Sequence, residues 1–267
     1  MAASKNPRKP AAKSQTIERA AAILTCFSAE APHLSLAALA DMLGLNQSTA
    51  YRYVATLEAA GLLERDNRLG GYRLGLRVIE LSNVALNQNE VRKHGLEESD
   101  RLRDELNALV SLAVLFEGDV LHIAHSVPNH WPRWHTTVGR RAVAHCTSLG
   151  KVLLAHRPWP EVVAMIESYG WRPYTPNSIQ DFARLEEELS TIRHRGHAID
   201  REERNVGTIC IGAPIHDYSG HVVAALSVSG KREKLSPEVW GDVAPRLCEA
   251  ANRISFRLGY QQSSAYL

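Results

Sequence analysis

Over residues 16–27 the apolar positions Ile17, Ala20, Ala21, Leu24 and Phe27 recur at steps of three and four. That is the period of a helix with one buried face. Pro32 interrupts it, and Ser35 then stands where an N-cap is wanted, followed by Leu36, Leu39, Ala40 and Leu43 on one side of a second helix. Gly44 follows in the place that favours a left-handed residue. A third helix is predicted from Asn46, again a capping residue, with Ala50, Val54 and Leu57 turned inward. Gln47, Ser48, Thr49, Tyr51 and Arg52 are left near its start and facing outward. Two short helices about a Gly turn make a helix-turn-helix, whose second helix presents its first residues to base edges in the major groove.

Beyond Gly61, residues 62–65 and 72–74 flank a polar, Gly-containing turn and read as a β-hairpin. A hairpin in that position is a wing, and Arg65, Arg68 and Arg73 are its candidate phosphate contacts. Helical spacing returns over 76–93 and again over about 96–109. From 111 the pattern changes to strands at 111–116 and 120–126 about a Glu-Gly-Asp turn, then at 197–204, 208–215 and 221–229. Helices are predicted at 147–156, 160–169, 181–195 and 236–258. Strands mixed with helices without strict alternation predict an α+β unit with a largely antiparallel sheet. The expected organisation is a basic tail over 1–14, a winged helix-turn-helix domain over 15–76, a linker helix over 77–93 and a ligand-binding domain over 94–267.

Charge sharpens this picture at one end only. Residues 1–80 hold ten Lys/Arg against seven Asp/Glu, and Lys5, Arg8, Lys9 and Lys13 crowd a start without acids or large apolar side chains. Such a segment cannot bury enough surface to fold alone; it is either a solvated tail or an arm that touches DNA. Without the apolar stretch of a signal peptide or a membrane span, the expectation is a cytoplasmic protein with no membrane partner. The four widely spaced cysteines, Cys26, Cys146, Cys210 and Cys248, contain no C-x-x-C pair and are expected to be reduced thiols.

Several separated segments carry a resemblance. LSLAALADMLGLNQSTAYRYVATLEAAGLLERD and GGYRLGLRVIELS in the first part, with TSLGKVLLA, GHAIDREERNVGTICIGAPI and GHVVAALSVSG in the second, look like the IclR family of bacterial transcriptional regulators. The resemblance spans residues 16–260 and implies a winged helix-turn-helix joined by a linker helix to a GAF-like or profilin-like effector-binding domain. It implies double-stranded operator DNA, palindromic in keeping with a paired reader, as one partner, a small carboxylic acid as another, and assembly as a homodimer or homotetramer. It also places Ser148, Leu149, Asp200, Cys210, Ser227 and Ser229 in the effector pocket. One departure stands out: members often have Pro and a basic residue before the Ser-Thr of the recognition helix, where this chain has Asn46 and Gln47. An amide there is able to pair with adenine.

The residues themselves give part of that site. Thr147 or Ser148 can cap a helix whose start, Ser148-Leu149-Gly150, would offer free N–H groups to a carboxylate. The Gly-Lys pair is not a nucleotide loop, because His145 stands where the loop needs Gly and Val152 where it needs Ser or Thr. Ser227 and Ser229 share a strand face and want partners. Asp200 either meets the ligand or holds the helix opening at Thr147. Trp131, Trp134 and His135 with Arg140 could enclose an aromatic acid, or form a surface loop. His122, His125, His130, His135, His145 and Cys146 follow no familiar zinc spacing, and i, i+3 on a regular strand is not a shared face. No metal, cofactor or enzymatic activity is expected. The alternatives are a ligand sensor acting through protein contacts, and a hydrolase using Cys210 or Ser148, for which no nucleophile elbow is present.

Overall fold

The computed structural model describes residues 14–129, 137–233 and 237–261. The chain divides into two compact units, Met1–Ala85 and Leu86–Leu267.

In the first unit, α1 (Gln15–Thr25), α2 (Leu36–Met42) and α3 (Gln47–Ala59) precede a hairpin of β1 (Leu63–Arg65) and β2 (Tyr72–Leu74). Ile23, Leu39, Val54, Leu57, Leu63 and Tyr72 form their common core. The caps are those expected: Ser35 Oγ accepts from Ala38 N–H (3.1 Å), and Asn46 Oδ1 accepts from Thr49 N–H (2.8 Å). Gly44, at φ +62°, makes the turn between α2 and α3. The backbones of Leu34 and Tyr72 exchange two hydrogen bonds, which fastens the hairpin to the chain entering α2.

Helix α4 (Leu76–Gln88) follows, with no buried residue. The single helix expected over 77–93 is interrupted at Asn89, whose side chain caps α5 (Glu90–Leu106) by accepting from Arg92 N–H (2.9 Å). Asn107, left-handed at φ +46°, ends α5 earlier than the periodicity suggested.

The second unit continues with β3 (Leu109–Phe116), β4 (Asp119–Ser126), β5 (Arg141–Val143), α6 (Ser148–Ala155), α7 (Trp159–Tyr169), α8 (Phe182–Arg195), β6 (Ala198–Arg201), β7 (Thr208–His216), β8 (Val222–Lys231) and α9 (Pro237–Arg257). Six strands in the order β5-β4-β3-β8-β7-β6 form one antiparallel sheet. Leu112, Ile211, Leu226 and Val228 on one face pack with Leu102 of α5 and Leu247 and Ile254 of α9. Ala113 and Ala225 on the other join Leu149 and Val152 of α6 and Leu185 and Leu189 of α8. The strand read over 197–204 stops at Arg201, because Glu202 turns to φ +62°. That turn brings Arg204 and Asn205 to the edge of a cavity.

Candidate functional site

The cavity lies on the α6 side of the sheet and has a volume of about 360 Å³. Its floor follows from strand register. Asp200, Cys210, Ser229 and Leu109 stand opposite one another across β6, β7, β8 and β3. One step along, Ser227 pairs with Ser111, and Ser111 with His125 of β4. Over this floor sits the start of α6. The approach is close: a Cβ on Gly212 would stand 2.8 Å from the Ser148 carbonyl oxygen, so only glycine admits the helix there. Thr147 caps α6, its Oγ1 accepting from Gly150 N–H at 3.1 Å.

β4 carries an irregularity that shapes the wall. Ala113 pairs with His122 but Leu112 pairs with Ala124, so Ile123 is an extra residue, a β-bulge. The bulge shifts the alternation by one and turns His122 and His125 to the same face, where both line the cavity. Their rings stack with centroids 4.8 Å apart. The bulged carbonyl of Ile123 accepts a hydrogen bond from Arg92 Nε (3.1 Å).

Burial sets the charges. It drives His122 down to about 3, helped by His125, Arg140 and Arg204, so the imidazole is neutral. The Asp200 carboxyl rises to about 7, first through burial and then through the neighbouring Glu203, against the pull of Lys151. Its Oδ1 accepts from Glu203 N–H (2.7 Å) and Arg204 N–H (3.3 Å). Behind it, fully buried Lys151 donates to the Ile199 carbonyl (2.7 Å), Glu203 (2.5 Å) and Glu188 (3.3 Å). The guanidinium of Arg204 lies 3.6 Å from the centre of the Tyr174 ring and meets no carboxylate among the described residues. Ser148 and Ser227 are 1% and 2% exposed, and their hydroxyls have no protein partner among the described residues. Such a site offers cations, helix N–H groups and open hydroxyls to a small polar anion.

In the first unit, Gln47, Ser48, Tyr51 and Arg52 are exposed at the start of α3, and Thr49 is half-buried. Arg65 and Arg68 are exposed on the hairpin. Arg73 instead bonds Glu64 Oε2 across the strands (3.1 Å).

Residues 16–67 match the IclR helix-turn-helix domain, and residues 83–256 match the domain described as bacterial transcriptional regulator IclR C-terminal. The chain belongs to the IclR family. It is thus a DNA-binding transcriptional regulator with an effector-binding domain. Among its relatives are the HTH-type transcriptional regulator XynR of Escherichia coli K12 and the glycerol operon regulatory protein of Streptomyces coelicolor. The first is 27% identical over 92% of this chain and 98% of the relative, the second 33% over 88% and 91%. A solved IclR homologue from Microbacterium hydrocarbonoxydans, complexed with 4-hydroxybenzoate, superposes with a TM-score of 0.78 at 27% identity, covering 91% of this chain and 99% of that one.

In this IclR-family regulator the cavity gathers Ser148, Leu149, Asp200, Cys210, Ser227 and Ser229, and also Arg140. Gly150 is not at its wall; a Cβ there would lie 2.2 Å from the Ala144 carbonyl, so this glycine serves packing. Asp200 holds the turn after β6 rather than the helix opening at Thr147. The amide of Asn46 is committed to its cap, which leaves Gln47 as the free amide of the pair. Trp131, Trp134, His135 and His130 lie outside the described residues. The sequence reading did not assign Ser111, His122, His125, Arg204 or Asn205 to the cavity. For the histidines the signal was present, but only the bulge makes i, i+3 a shared face. Among the described residues no group of three or more His, Cys, Asp or Glu is placed to hold a metal, and no helix is long and apolar enough to cross a membrane.

Proposed function

We propose that this regulator binds operator DNA in the cytoplasm as a homodimer and takes a small carboxylic acid into the cavity under α6. The observation that carries the effector reading is that the hydroxyls of Ser148 and Ser227, which bond no described residue, line one cavity with the guanidinium of Arg204, which forms no ion pair among the described residues. The 4-hydroxybenzoate held by the Microbacterium homologue supports an aromatic acid as effector. Gln47, Ser48, Thr49, Tyr51 and Arg52 read bases or backbone, and Arg65 and Arg68 neutralise phosphate. Arg73 joins them only by releasing Glu64, an exposed pair worth little.

The role is binding rather than catalysis. Burial pushes the Cys146 thiol up to about 11 and raises Cys210 as well, the opposite of what a nucleophile needs. The test is fluorescence anisotropy on the upstream intergenic DNA against random DNA at two salt concentrations, with and without 4-hydroxybenzoate. Salt-sensitive, selective binding shifted by the acid is expected, with at least tenfold loss of selective affinity in Arg52→Ala at unchanged Tm. Full affinity in that variant would remove α3 from the interface.

A further inference from the structure

The two sides of the effector cavity differ in chemistry. On the β6 side stands a cation, Arg204, on its tyrosine platform. On the β4 side stand two imidazoles that the bulge at Ile123 turns inward together, with Arg140 lining the cavity near them. Ser111 Oγ is 2.9 Å from His125 Nδ1 and fixes that ring. Ser111 is in turn in register with Ser227, whose hydroxyl is open. The Nδ1 of His122 is buried with no hydrogen-bond partner.

Resting on the carboxylate reading above and specifying its ligand, we propose that His122 and His125 read a hydroxyl, so that the effector is a hydroxylated monocarboxylate. The imidazole of His122, pushed down to about 3 by burial, is uncharged at neutral pH. A neutral imidazole carries one N–H and one lone pair. A hydroxyl complements the open Nδ1 in either tautomer, because it both donates and accepts. A second carboxylate only accepts, so it suits Nδ1 only in the tautomer that carries the proton there, and even with Arg140 lining the cavity its charge costs more to desolvate than a hydroxyl. The cavity therefore discriminates by what lies away from the acid group: a plain acid leaves the imidazole unsatisfied, and a diacid adds a second charge that must be desolvated beside a ring that carries none.

The test is titration calorimetry of the full chain with two matched pairs, benzoate with 4-hydroxybenzoate and hexanoate with D-gluconate, and with terephthalate as the diacid. In whichever pair binds, the hydroxylated member is expected to bind at least about tenfold tighter, and terephthalate more weakly than either. In His122→Leu the preference is expected to fall below about threefold, with operator affinity in the absence of acid and an unchanged far-UV circular dichroism spectrum certifying the fold. Equal affinity within a pair in the unaltered protein, a preference that survives in His122→Leu, or tight terephthalate binding would overturn the hydroxyl reader and leave the carboxylate pocket standing. Binding of none of the five acids would overturn both.

Discussion

At the scale of single residues, Asp200 carries a pH consequence. Its carboxyl is 1% exposed and titrates near 7, whereas in the unfolded chain it would titrate near 3.8. Between those values the native state holds a proton that the unfolded state has lost, so its stability falls as pH rises through this window. Asp200→Asn keeps an oxygen for the amides of Glu203 and Arg204 but never ionises. Its Tm relative to the unaltered chain is therefore expected to rise from pH 4.5 to pH 8, by about 2–4 °C for each kcal/mol of relieved charge burial. Thermal melts at the two pH values check this, and a constant difference would mean that Asp200 is ionised in the fold throughout. Residues whose role is local were legible in the sequence: Ser35, Asn46 and Thr147 cap the helices they precede. Lys151 was not, because its partners at 188, 199 and 203 reach it only through the fold. Arg204 was hidden for a related reason, its segment having the composition of a strand.

At the scale of elements, period gave the helices and the longer strands, since each buries one face. β5 has three residues, too few for any period, and was missed. The bulge in β4 was invisible because alternation assumes an unbroken ladder, and its neighbours are all acceptable strand residues. The tie from Arg92 to the Ile123 carbonyl makes the bulge testable. Arg92→Met keeps the apolar stem and removes the donor. A stability loss of about 1–3 kcal/mol in denaturant titration is expected, with faster amide exchange confined to residues near 122–124. Unchanged exchange there would show that the bulge holds itself.

For the whole molecule, the outstanding feature is α4. Leu76, Ile79, Leu81 and Val84 are 68%, 64%, 55% and 52% exposed, and their positions wind around the helix rather than along one stripe. A helix apolar on several sides is normally covered, and the homodimer proposed above would supply a second copy of the chain to cover this one. Ile79→Glu with Val84→Glu is expected to convert a dimer to a monomer in sedimentation and to weaken operator binding, while each unit keeps its own core. A dimer unaffected by both charges would place the contact elsewhere.

The cap at Asn89 has a mechanical consequence. Because Asn89 closes the first turn of α5 on itself, swinging the preceding chain about this joint breaks none of that helix's hydrogen bonds. Three residues on, Arg92 bolts the same turn to the strand carrying His122 and His125. The regulator thus has a break in its helix immediately beside a fixed anchor. A joint at such a break would oppose movement with little energy of its own, so an effector would need only a modest affinity ratio between two settings to change which one dominates.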